Sequence, residues 1–257
     1  MKRSFSDWGG NIVAFILVIS VNGLANGLPL GGQTTGEISA KYPSLFTPAG
    51  FTFSIWGLIY LGLMIFTIYQ ALPAQRENAT IAKVSKLFVA NCVANAAWIF
   101  FWHYDLLWLS LLMMAAILFT LVQIFRALAA VQAMSIAQRL FVQLPFSLYT
   151  AWITVAFIAN ISAVQMSMGW DDWGMPAMDW TLLKLAVAGA IGSTVIVRKG
   201  DIAYILVVAW AAFGIMTKQA ATPEVAGAAA TLALLGVLLA AAETIRKLRL
   251  IGIGGAR

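Results

Sequence analysis

The sequence holds one cysteine and one histidine, and only 10% of its 257 residues are charged. A lone Cys92 excludes an internal disulfide, and a lone His103 excludes a multi-histidine metal site. The chain has no G-x-x-x-x-G-K, no H-E-x-x-H and no paired Cys-x-x-Cys, so the nucleotide, zinc-protease and redox chemistry of those motifs has no residues to act through. Asp105 stands beside His103, but at a turn between apolar runs, where an aspartate is expected to cap the following helix. No catalytic residue and no metal ligand is assigned.

What is abundant is apolar. The chain is 61% hydrophobic with a mean hydropathy of +0.88, far from the composition of a soluble domain. Runs of about twenty apolar residues require helices, because backbone groups in lipid must be satisfied within their own segment. The alternating pattern of a barrel strand is absent. The fold class is therefore all-α integral membrane, with membrane lipid as the surrounding partner. The net charge of +6 does not indicate nucleic acid, because the basic residues sit at the ends of the apolar runs.

Eight spans are predicted, at about 10–29, 48–72, 84–102, 106–127, 139–165, 179–197, 201–217 and 223–245. Met1-Lys2-Arg3 before the first run also fits a signal peptide, but no small-x-small cleavage site follows, which favours a retained helix. Asp201 is an expected N-cap, and Thr222-Pro223 an expected cap and first helical residue. Residues 30–47 form a long loop, either a lid or an interfacial segment. The stretch Met168–Pro176, with Asp171 and Asp172 between Trp170 and Trp173, reads as a wet interfacial loop or a weak cation site. With both termini cytoplasmic, thirteen Lys and Arg fall inside and three outside, the expected bias. The expected location is a bacterial cytoplasmic (inner) membrane. A shift to small residues after the fifth span divides the chain into residues 1–166 and 167–257. In the second part Ala188, Gly189, Gly192 and Ser193 allow close helix packing.

No charged side chain stands mid-span in the first five spans, which argues against a pump with a carboxylate relay and leaves uncharged carriers open. The intramembrane polar suspects concentrate there: Asn22, Asn91, Asn95, Gln123, Gln143 and Asn160. Asn91, Asn95 and Trp98 share one helical face, and Tyr149, Trp152, Ala156 and Asn160 form a single stripe. A proline-fed stretch, Phe46–Tyr60, carries Phe51, Phe53, Trp56 and Tyr60. Asparagines of this kind also serve as interhelical glue and aromatics as plain packing. Taken together, few polar groups among many aromatics describe a pocket for a flat, mostly apolar small molecule. The candidate ligand-binding residues are Phe46, Phe51, Trp56, Tyr60, Asn95, Trp98, Tyr149, Trp152, Ala156 and Asn160, beneath the 30–47 loop.

These residues resemble the TspO/MBR family, the translocator or tryptophan-rich sensory proteins. The family's second-helix signature, F-T-P-P-x-W-V-F-x-x-V-W-x-x-L-Y, is similar to Phe46-Thr47-Pro48-Ala49-Gly50-Phe51-Thr52-Phe53-Ser54-Ile55-Trp56-Gly57-Leu58-Ile59-Tyr60. Its third-helix L-N-x-x-W is similar to Ala94-Asn95-Ala96-Ala97-Trp98. Its fifth-helix P-Y-x-x-W-x-x-x-A-x-x-x-N is similar to the Tyr149–Asn160 stripe. Here Ala49 stands for the second proline, Phe51 for a tryptophan, and the segment to Trp56 is one residue shorter. No proline directly precedes Tyr149.

The resemblance covers about residues 10–165 and implies a TspO-like five-helix bundle with three additional helices behind it. It further implies a receptor or carrier for a porphyrin-like tetrapyrrole or a sterol-like lipid, held as a ligand with no cofactor required, in a homodimer. Trp152 sits where the family's photochemically implicated indole sits. Two other classes stay open: a small-solute transporter and a structural or assembly subunit. An enzyme is the least favoured class.

Overall fold

The computed structural model describes residues 3–28, 30–169 and 174–254. Trp170, Asp171, Asp172 and Trp173 of the acidic aromatic loop lie outside the described residues. The chain is helical: α1 (Phe5–Gly27), α2 (Thr35–Lys41), α3 (Ile55–Ala71), α4 (Ala79–His103) and α5 (Leu107–Ala129) come first. They are followed by α6 (Ile136–Ser167), α7 (Ala177–Lys199), α8 (Ile202–Lys218) and α9 (Pro223–Gly254). Among the described residues, seven helices are long and apolar enough to cross a membrane. The eighth predicted span, α8, is a shorter apolar helix of 17 residues, about 25 Å and at the low end of what spans a bilayer.

Local chemistry explains the boundaries. Asn78 accepts from the Thr80 and Ile81 amides to start α4, and Asp201 accepts from the Tyr204 amide to start α8, each satisfying orphan donors of a first turn. Helix α6 begins with a capping box between Ser135 and Gln138 and passes through one π turn at Arg139–Gln143 before Pro145. The second predicted span starts later than expected. Gly50–Ser54 form a 3-10 turn, and the α-helix begins only at Ile55.

Two compact units divide the chain: Met1–Ser44 with Phe53–Trp170, and Leu45–Thr52 with Asp171–Arg257. In the first, α1 packs on α3 and α4, α4 on α5, α5 on α6, and α6 on α3. These contacts close a five-helix ring in the order α1–α4–α5–α6–α3. Helices α4 and α6 face each other across its interior and are joined by side chains.

In the second unit α7, α8 and α9 pack against one another. Lipid offers no hydrophobic gain for helix association, so close backbone approach and fit carry the packing. A Cβ added at Gly236 would sit 2.8 Å from the Ala209 Cβ, and one at Gly192 would sit 2.9 Å from the Ile205 side chain. The small residues are therefore where the helices touch. Segment 45–52 lies on α8. The Ala49 amide donates to the Gly214 carbonyl at 3.0 Å, and the Trp210 indole N–H donates to the Thr52 carbonyl at 3.0 Å.

Candidate functional site

The interior of the five-helix ring is built from two hydrogen-bonded joints and one aromatic cluster. The first joint runs across three helices. The Asn22 amide of α1 donates to Asn95 Oδ1 of α4 at 2.9 Å, and the Asn95 amide donates to Tyr149 Oη of α6 at 2.6 Å. In the second, the Trp98 indole N–H donates to Asn160 Oδ1 at 3.1 Å, and the Asn160 amide donates to Ser110 Oγ of α5 at 3.1 Å. All six side chains except Trp98 are polar groups in apolar surroundings. Each is paired, as burial requires.

The aromatic cluster lies between α3 and α6. Trp56 stacks on Tyr60 with centroids 5.3 Å apart, and meets Tyr149 edge-on at 5.9 Å and Trp152 at 6.3 Å. Phe53 meets Trp152 edge-on at 5.9 Å. Trp152 and Tyr149 are almost completely buried, at 2% and 1% exposed. Two polar atoms in this cluster have no hydrogen-bond partner: Trp152 Nε1 and Tyr60 Oη. Ala156, one helical turn beyond Trp152, is half-buried.

The structure thus places Trp56, Tyr60, Asn95, Trp98, Tyr149, Trp152, Ala156 and Asn160 in the first unit. Phe46 and Phe51 belong to the second. Phe46 is buried there, and Phe51 meets Trp210 at 5.4 Å and Phe213 at 5.8 Å, both edge-on. Sequence reasoning put them in one list because they share a motif with Trp56, and the unit boundary falls inside that motif. It left Phe53, Ser110 and Asn22 out of the site. Asn22 and Phe53 were visible as an intramembrane asparagine and as a residue on the Trp56 face.

The 30–47 loop is more structured than its length suggested. Thr34 and Glu37 form a capping box that starts α2, a signal present in the sequence as T-x-x-E. The end of α4 holds this loop. The Trp102 indole N–H donates to the Thr35 carbonyl at 3.1 Å. His103 lies 3.1 Å from both the Leu30 carbonyl and Thr35 Oγ1. A carbonyl only accepts, so Nδ1 carries a proton, and in the neutral imidazole Nε2 accepts from the Thr35 hydroxyl.

Asp105 is not the cap expected for α5, whose N-cap position is Leu106 with no side-chain bond. With φ of 56°, Asp105 instead accepts from Lys41 Nζ at 2.8 Å and Tyr42 Oη at 3.1 Å. The Thr34 amide and hydroxyl hold the Glu37 carboxyl below its ordinary pKa of 4.5. Partial burial and then the hydrogen bond to Asp105 push the Tyr42 phenol above its ordinary 10.0. Among the described residues no three His, Cys, Asp or Glu side chains come together to hold a metal ion.

Apolar helices around an asparagine-pinned aromatic interior define a polytopic α-helical integral membrane protein. The chain belongs to the TSPO-like protein family, whose pattern it matches over residues 8–242. That match continues through α7 and α8 into α9, so the three helices expected as an addition lie within the family's own pattern. No curated protein and no solved structure matches the chain.

Proposed function

We infer that the protein binds a flat, mostly apolar ligand carrying at least one hydrogen-bond acceptor against the Trp56, Tyr60, Tyr149 and Trp152 wall. A porphyrin-like tetrapyrrole or a sterol-like lipid has this chemistry, and the role is that of a receptor or carrier. The observation that supports it is the pair of unpartnered donors. A buried N–H or O–H without a partner costs about 1–3 kcal/mol, and native interiors leave few of them. Here two, Trp152 Nε1 and Tyr60 Oη, flank one indole, Trp56, whereas Asn95, Trp98, Tyr149 and Asn160 nearby are all satisfied. A carbonyl or carboxylate on a stacked planar ligand would complete them. The loop pinned by Trp102, His103 and Asp105 would cover the α4 end of the bundle.

A tryptophan-quenching titration of the purified protein with a porphyrin panel tests this. Saturable quenching is expected, weakened about tenfold in Trp152→Phe combined with Ala156→Leu, the equivalent of one hydrogen bond. No saturable quenching, or the same affinity in the double variant, overturns it. Uptake into proteoliposomes indifferent to porphyrin would point to a solute transporter instead, and stoichiometric purification with another membrane subunit to an assembly role.

A further inference from the structure

We propose that the groove between the N-terminal ends of α1 and α4 is a binding site for the phosphate headgroup of an anionic phospholipid, separate from the aromatic interior. Helices α1 and α4 run parallel, since Asn11 pairs with Ser85 and Asn22 with Asn95. Their starts therefore lie at the same end of the bundle. Between them is a cavity of about 580 Å³ lined by Arg3, Ser4, Ser6, Asp7, Ser85 and Lys86, with Ala82 and Val89 along α4. Ser85 is ten residues before Asn95, about 15 Å along the helix, so the cavity is well removed from the Asn95–Tyr149 joint.

The lining has the composition of a phosphate site. Arg3 is 6% exposed. Its guanidinium is fixed by the Gln70 carbonyl at 2.8 Å, Gln70 Oε1 at 2.6 Å and Asp7 Oδ2 at 2.7 Å. The one carboxylate in the groove is thus already matched by a cation. Lys86 is exposed and leaves the described lining net positive by one charge.

Ser4 and Ser6 bond to each other through their hydroxyls at 2.8 Å. The Ser4 side chain does not cap α1, and the Asp7 and Trp8 amides are taken by the Ser4 carbonyl, so the two hydroxyls and the Phe5 and Ser6 amides are what this end of α1 offers an anion. On α4, Ala82, Ser85, Lys86 and Val89 share one face, and Val89 lies furthest into the apolar part of the helix. A polar, cationic end grading into an apolar strip fits a headgroup with its acyl chain, and basic pockets between membrane helices recognise anionic lipid in this way. A soluble phosphate would use the same donors without the strip.

The test compares Lys86→Gln with Lys83→Gln, an equal charge change at an exposed lysine outside the groove. Each protein is reconstituted in vesicles of phosphatidylcholine with one-fifth phosphatidylglycerol, extracted, and weighed by native mass spectrometry. The wild type and Lys83→Gln are expected to retain a phosphatidylglycerol adduct, and Lys86→Gln to lose it about fivefold, the factor for one lysine–headgroup interaction. Equal retention in the two variants, or phosphatidylcholine retained as well as phosphatidylglycerol, overturns the proposal. A melting temperature raised by inorganic phosphate in lipid-free detergent, in wild type but not in Lys86→Gln, with no lipid adduct, would show a soluble-phosphate site and also overturn it.

Discussion

Asn95 donates to Tyr149 Oη at 2.6 Å while its own carbonyl accepts from Asn22, so a single amide ties the three helices α1, α4 and α6. The consequence for the site is directional. With its hydroxyl held by Asn95, the Tyr149 ring is fixed at the edge of Trp56. The stacking surface of Trp56 is thereby set by a polar contact on the far side of the tyrosine.

Replacing Asn95 by Leu should therefore destabilise the bundle by about 1–3 kcal/mol, because a buried tyrosine hydroxyl loses its partner. Thermal melts in detergent should show the drop. Tyr149→Phe added to Asn95→Leu should cost clearly less than the two single changes summed, since the unpaired hydroxyl is then gone. Strict additivity would show that the two residues do not act together.

Gly214 carries the close approach of the 45–52 segment to α8. A Cβ there would overlap the Thr52 side chain, so Gly214→Ala should lower the melting temperature through overpacking of about 1–3 kcal/mol. Thr52→Gly removes the atoms it would strike. The pair Gly214→Ala with Thr52→Gly should be less destabilised than the sum of its parts, measured by the same melts. Proteolysis of the 45–52 segment should rise in Gly214→Ala alone.

The capped helix α2 has a pH dependence with a definite sign. The Glu37 carboxyl titrates below its ordinary value of 4.5 when folded. Its contribution to holding α2 is complete above the ordinary value and is lost as pH falls through the lowered one. Amide exchange across 35–41 should therefore accelerate on acidification below about pH 4.5, beyond the intrinsic pH trend. Glu37→Gln keeps the capping box and should flatten that profile. Tyr42 behaves oppositely. Its phenol is raised above 10.0, so its bond to Asp105 is complete below that value and is lost as pH rises through the raised one.

The all-helical membrane class, the span positions and the Tyr149–Asn160 stripe were legible because lipid imposes a strong rule on length and polarity. The polar joints were partly legible, since an intramembrane asparagine must find a partner, although its partner cannot be read from spacing. What escaped depended on the third dimension. Phe51 shares a motif with Trp56 but packs on Trp210 and Phe213, more than 150 residues away in the chain. Helix α2 was hidden in a seven-residue element, too short for hydrophobic periodicity, though its capping box was present. Asp105 was assigned to the nearest helix start. Its positive φ turns it toward Lys41 and Tyr42, a choice no local pattern encodes.

Trp98 and Trp152 give the sharpest separation of stability from binding. Both are buried tryptophans on facing helices, but the Trp98 N–H is bonded to Asn160 and the Trp152 N–H has no partner. Substitution by Phe removes the N–H and part of the ring in each case, so the packing losses are comparable. Only Trp98→Phe also strips a hydrogen bond from a buried amide oxygen, an added cost of about 1 kcal/mol. Trp98→Phe should therefore melt at the lower temperature. For porphyrin affinity the order should reverse, with Trp152→Phe the weaker binder, because its indole N–H is the one left for a ligand. Equal affinities in the two variants would remove Trp152 from the site, whatever their melting temperatures.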